Sequence, residues 1–259
     1  GAHTPGRQCA REPAADLRRA HIRVDTGPAF LPRLPTLWVN VSLRARLQES
    51  GFSYFEPIEV VTYHISAVVK RHIDTFLGIQ ETKRLMDRME QQYDELAREA
   101  LRVATLQKIA EILKRVVGEH VSIRNMRLIL ETVVEWAKKE KDTILLVEYI
   151  RIALGRQICH QYKNTQNILA AYVLTPETAL PPNKVRQFIE GVRAEVGDLR
   201  AFDRPPVLIC SMDVRRYIRR AIEAELYDLH VISYQELTDD VNVKTLGRID
   251  LGDLAQQAA

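Results

Sequence analysis

The chain has 259 residues, a formal net charge of +3, and 46% hydrophobic and 27% charged residues; these proportions exclude a disordered or collagen-like chain. No apolar run approaches the roughly 18 residues of a membrane span, and the opening Gly1-Ala2-His3-Thr4 does not read as a secretion signal. The charge is too small to indicate a nucleic-acid partner by itself. Cys9, Cys159 and Cys210 are widely spaced, with no CxxC among them. They argue against a disulfide framework and for a reducing compartment.

Residues 1–20 are rich in Arg, Ala and Pro without a period, and predict an irregular start. Residues 21–25 alternate as a short strand, and the loop after them holds Gly27, Pro28, Pro32 and Pro35. Strands are predicted at 37–39 and 52–55, around a short helix at 43–48 that Gly51 closes. Pro57 opens a long helix to about Leu77, with Gly78 as its C-cap and an apolar stripe of Val60, Val61, His64, Val68, Ile73 and Leu77. From 79 to 162 the pattern is nearly all helical. Gly118 ends one helix, Ser122 caps the next, and a further helix covers 143–161. Strands follow at 168–174, 207–210, 229–233 and 241–249. Between them lie helices from Asn183 to about Val196 and from Ser211 to about Leu226. The expected fold class is α+β in several subdomains: a partial α/β first subdomain, a central helical one, and a small C-terminal α/β layer with a mixed sheet.

Chemical motifs are absent: no phosphate loop, no GxGxxG after a strand, no GxSxG and no HExxH occur. His64 and His72 would lie about 12 Å apart along one helix, too far to share a metal. Neither a catalytic site nor a cofactor is expected. The mixed charges from Lys83 to Glu99 read as a solvated helix face or an interaction surface. Arg215, Arg216, Arg219 and Arg220 read as a solvated or subunit-facing basic edge, with phosphate binding as the alternative. Residues 122–127, with Arg124 and Arg127, read either as an ordinary helix start or as the entry to a helix-turn-helix recognition helix. A nucleic-acid-binding regulator is therefore the alternative function.

Ordered stretches carry a family resemblance. They are Phe55-Glu56-Pro57-Ile58-Glu59-Val60-Val61-Thr62-Tyr63-His64, Leu77-Gly78-Ile79-Gln80-Glu81-Thr82, and Leu106–Leu113 leading into Glu119-His120-Val121-Ser122-Ile123-Arg124-Asn125-Met126-Arg127. Trp136-Ala137, 147–158, Pro205–Leu208 and 229–237 complete the series. Together they resemble the cytosolic part of the type III secretion export-gate family, which includes the flagellar FlhA and injectisome SctV branches.

The resemblance implies a non-catalytic docking platform at the cytoplasmic face of the bacterial inner membrane. The membrane connection would run only through an N-terminal transmembrane region that has no counterpart here. It implies a nonameric ring, and chaperone–substrate complexes, gatekeeper and export-apparatus proteins as partners, with no nucleic acid. It also implies a division into an irregular start and remnant of the second subdomain at 1–30, the rest of the first at 31–78, a helical subdomain at 79–163, an α/β subdomain at 164–250 and a tail at 251–259. The chaperone dimple would involve Asp25, Phe30 and Tyr63. Tyr63 stands where flagellar members carry a Thr, which favours the injectisome branch. Arg124, Glu131, Arg151 and Arg156 are the candidates for self-association.

Overall fold

The computed structural model describes residues 7–10, 14–26, 37–175, 185–197, 199, 202 and 204–250. Residues 1–73 and 74–259 form two units.

In the first unit, β1 (Arg7–Ala10), α1 (Ala14–Arg19), β2 (Asp25–Thr26) and β3 (Leu37–Asn40) are followed by α2 (Arg44–Glu49), β4 (Tyr54–Phe55) and α3 (Pro57–Arg71). The strands pair antiparallel in the order β2-β3-β1-β4. The irregular start expected from composition is thus a strand and a helix. β1 owes its form to pairing on both sides, with β3 and β4, which no local period reveals. The strand expected at 21–25 shrinks to Asp25–Thr26, because His21 takes a left-handed φ of 56°. Gly51 closes α2 as expected: its φ is +71°, and the Phe52 N–H donates to the Leu47 carbonyl at 2.9 Å. Leu17, Ile22, Leu37, Val39 and Leu47 are buried together.

Pro57 starts α3, and the Glu56 N–H donates to Glu59 Oε2 at 2.8 Å. The helix stops at Arg71, short of the expected Leu77, and a 3-10 turn follows at Ile73–Phe76. Gly78 is not its C-cap. The Gly78 N–H donates to Glu81 Oε2 at 3.0 Å and its carbonyl accepts from Thr82 Oγ1, so Gly78 begins the next helix. Of the expected apolar stripe only Val60 is buried on α3, and Ile58, Ile65 and Val68 are exposed.

The second unit begins with six helices: α4 (Ile79–Gln92), α5 (Asp94–Val103), α6 (Leu106–Gly118), α7 (Met126–Trp136), α8 (Thr143–Ala153) and α9 (Gly155–Tyr162). Side-chain caps set their starts: Thr105 Oγ1 accepts from the Lys108 N–H, Asn125 Oδ1 from Leu128, and Asp142 Oδ1 from Ile144. Asn125, not Ser122, therefore caps α7. Ile112, Leu113, Ile129, Leu130, Val133 and Ile150 are fully buried between these helices. Each such side chain contributes about 1.5–3 kcal/mol.

The helix expected over 143–161 breaks at Leu154. There Gly155 passes so close to the chain after β7 that a Cβ would meet the Glu236 carbonyl oxygen at 2.4 Å. Backbone faces backbone, so no side chain can yield. Gly155→Ala should lose about 1–3 kcal/mol in a denaturant melt, although alanine is the better helix former.

After the helices come β5 (Ile168–Leu174), α10 (Val185–Val196), β6 (Val207–Cys210), α11 (Met212–Ile222), β7 (His230–Ser233) and β8 (Asn242–Ile249). The sheet order is β7-β6-β5-β8, and every pair is parallel where a mixed sheet was expected. The segment after β7 makes this possible by crossing back under α8 and α9 before β8 begins. Alternation divides the sheet cleanly. Leu169, Ala171, Val207, Ile209 and Ile232 face the helical bundle, while Tyr172, Leu174, Leu208, Cys210 and Val231 face α10 and α11. The fold class is α+β, with a helical region that lies between the two sheets in chain order.

Candidate functional site

The expected docking residues lie in the first unit. Asp25 is exposed on β2, where it pairs with Trp38 of β3. Tyr63 is 49% exposed on α3, and its ring meets Phe55 edge-on at 5.0 Å. It thus offers half its area and a hydroxyl from a braced position. Phe30 lies outside the described residues.

The self-association candidates separate. Arg124 and Arg156 are exposed and make no ion pair among the described residues. Glu131 is exposed on α7 and binds Arg127 Nε at 2.8 Å, four residues earlier. Arg127 also lies over the Tyr93 ring at 5.3 Å. Arg151 does not belong with them. It is 2% exposed and donates to Glu236 Oε2 at 2.7 Å and Oε1 at 3.2 Å. A buried, fully paired arginine is part of the fold and presents no outer surface.

Arg151 is one member of a buried ionic cluster. Arg215, with no exposed surface, donates from Nε and Nη2 to Glu148 and from Nη1 and Nη2 to Glu119. Glu119 also bridges to Arg151 at 3.1 Å. Glu236 accepts from the Ser233 N–H and Oγ, both at 3.1 Å. Arg219 donates to the Tyr227 and Leu229 carbonyls at 3.2 and 3.0 Å. Three arginines thus face three glutamates, drawn from α8, α11, the end of α6 and the segment after β7. The basic edge expected on α11 is therefore half interior: Arg215 and Arg219 are buried, and Arg220 is exposed.

Burial alone would push the Glu119 carboxyl up, but Arg151 and Arg215 outweigh it and hold it down to about 2. Burial would lower the Arg215 guanidinium, and its bonds to Glu148 and Glu119 raise it well above the ordinary value. Arg215 and Arg151 are taken up by carboxylates, and the cluster contains no nucleophile. Its chemistry is cohesion: it ties four elements of the second unit along the outer edge of β7.

Burial also pushes the Cys210 thiol up to about 12 and raises Cys159, as befits core thiols. Among the described residues no group of three or more His, Cys, Asp or Glu could hold a metal ion. Of the residues behind the helix-turn-helix alternative, Arg124 is exposed, Arg127 is engaged by Glu131 and Tyr93, and Arg215 and Arg219 are interior. Sequence reasoning missed the cluster, yet a signal exists. Arg215 and Arg219 share one face of α11 with Ile218 and Ile222, and Glu148 and Arg151 sit in the stripe of Val147 and Ile150. Charges in core positions of a helix must find partners.

Comparison with known proteins gives the family. The FHIPEP family model matches residues 3–242. The low calcium response locus protein D of Yersinia pestis is 44% identical over 258 residues, 93% of this chain and 37% of that protein. The chain therefore spans little more than a third of that relative. The CdsV protein of Chlamydia pneumoniae, also solved in a complex with CdsO, superposes with a TM-score of 0.84 at 35% identity, over 95% of this chain and 76% of that one. The nonameric EscV cytosolic domain from the type III secretion system superposes with a TM-score of 0.71 at 28% identity, over 93% of this chain and 76% of that one. Sequence and fold agree across both units, and the chain belongs to the FHIPEP family, as a homologue of the cytosolic domains of type III secretion export-gate proteins.

Proposed function

We propose that this chain is a docking platform of type III protein secretion, of the injectisome branch, working at the cytoplasmic face of the bacterial inner membrane. The likeness to the nonameric EscV domain carries this reading. In it the chain is one of nine ring members that receive chaperone–substrate complexes and gatekeeper proteins. Residues 31–78 are the rest of a first subdomain, 79–163 the helical one and 164–250 the C-terminal one.

Arg124, Glu131 and Arg156 are the proposed ring contacts. Head-to-tail rings need two unlike surfaces, and exposed charges suit a contact that forms only at high local concentration. Arg156→Glu should shift the oligomer to monomer in a mass measurement at high concentration without moving the melting temperature. An unchanged mass distribution would remove Arg156 from the ring contact.

Asp25, Phe30 and Tyr63 are the proposed seat of the chaperone complex. Two aromatic side chains and a carboxylate have the composition of a small hot spot. Phe30→Ala and Tyr63→Ala should each weaken binding of a cognate chaperone–substrate complex by about 1–3 kcal/mol in titration calorimetry. Unchanged affinity in both folded variants would move the seat elsewhere.

A further inference from the structure

Strand register sets side chains in rows across the bundle face of the C-terminal sheet. One row is Val207, Ala171 and Thr245, and the next is Ile209, Val173 and Arg248. The helices cover Val207 and Ala171 completely. Towards β8 the cover thins: Val173 is half-buried, and Thr245 and Arg248 are exposed. A groove of about 400 Å³ opens there. Val173 and Ile209 line it from the middle of the sheet, Thr245 and Arg248 from β8, and Tyr234 and Leu237 from the segment after β7.

The groove lies where the chain order of the sheet turns. β5 leads through α10 to β6 over one face, whereas the segment after β7 reaches β8 over the other. β5 and β8 are thus neighbours whose connections run on opposite faces. Open parallel sheets take ligands at such switch points, beyond the carboxyl ends of the strands. Val173 near the end of β5 and Tyr234 directly after β7 bring those ends to the groove. Its volume lies at the small end of ligand cavities, which run from about 300 to 1,000 Å³. That space suits a body of one or two rings and is too small for a folded segment of another chain.

The lining selects the chemistry of the ligand. Among the described residues that line the groove, Arg248 alone is charged, and it makes no ion pair among the described residues. No carboxylate lines the groove to repel an anion. A guanidinium takes a carboxylate through two parallel hydrogen bonds. Val173, Ile209 and Leu237 ask for an apolar body beside that charge, and Tyr234, 43% exposed, offers a ring face for stacking. We propose that the groove binds a small aromatic carboxylic acid, with its ring over Val173 and Ile209 and its carboxylate on Arg248. This inference is independent of the ring and the chaperone seat and needs only the second unit.

The probes are 1-naphthylacetate and its neutral primary amide, titrated into the full chain and followed by backbone amide resonances. The acid should shift Val173, Ile209 and Thr245 with a dissociation constant of about 1 mM or below. The amide should bind the same residues about five- to ten-fold more weakly. Arg248→Gln should bring the two affinities within about two-fold and leave that of the amide unchanged, at an unchanged melting temperature. Thr245→Phe fills the groove with a residue that strands accept, and should abolish the binding of both. No shift at the groove in millimolar acid, or equal affinity of acid and amide, would overturn the proposal. So would a preference for the acid that survives Arg248→Gln. Groove resonances that move with protein concentration alone would also overturn it, since a second copy would then fill the space.

Discussion

Arg215→Ala should destabilise the second unit by about 3–5 kcal/mol, enough to lower its melting temperature by on the order of 10 °C. The residue has no exposed surface and serves Glu119 and Glu148 together. Its removal leaves Glu148, 2% exposed, without the arginine that it binds, and leaves Glu119, whose side chain is 24% exposed, to Arg151 alone. The loss is mostly the penalty of unpaired buried charge, not the net worth of the pair. That distinction can be tested. Arg215→Met combined with Glu148→Gln removes a charge of each sign and should recover part of the loss. Arg220→Ala, on the exposed side of the same helix, should stay within about 0.5 kcal/mol of the parent. Equal melting temperatures for Arg215→Ala and Arg220→Ala would show that the buried cluster does not hold the unit together. Arg151→Ala should behave like Arg215→Ala, because Arg151 likewise serves two carboxylates, Glu236 and Glu119.

The legible parts of the sequence were those whose information is local. β5 and β6 fall where their apolar runs placed them, at Ile168–Leu174 and Val207–Cys210. Gly51 and Gly118 end the helices they were expected to end. Two of the failures share one cause, which is that the deciding partner is remote in sequence. β1 is a strand because β3 and β4 flank it, and α8 gives way to α9 because Gly155 must clear Glu236. Gly78 begins a helix because Glu81 and Thr82 satisfy its backbone, a local signal that the C-cap preference of glycine obscured. The docking residues were not legible from composition or periodicity and rest on the family resemblance. The ionic cluster was half legible. Its arginines stood at core positions of α11, but the glutamates that neutralise them lie 67 and 96 positions away.

Glu119→Gln should lose stability at neutral pH and close the gap to the parent in acid. The parent Glu119 carboxyl lies near 2 in the folded chain, below its ordinary 4.5, because Arg151 and Arg215 overcome the cost of burial. A carboxyl lowered on folding contributes stability that is complete above about pH 4.5 and fades as the pH falls towards 2. The displacement corresponds to roughly 3 kcal/mol at pH 7. Glutamine keeps the shape and an acceptor oxygen but not the charge, and so removes this pH-dependent share. Urea melts of the two chains between pH 7 and pH 2 should converge over that window. Glu99, held near 2 by Arg102 and Lys138, and Asp240, held near 2 by Thr238 and Lys163, titrate in the same range. Both chains carry them equally, so they cancel in the difference. A gap that stayed constant down to pH 2 would assign Glu119 a packing role, and would place the electrostatic weight of the cluster on Glu148 and Glu236 instead.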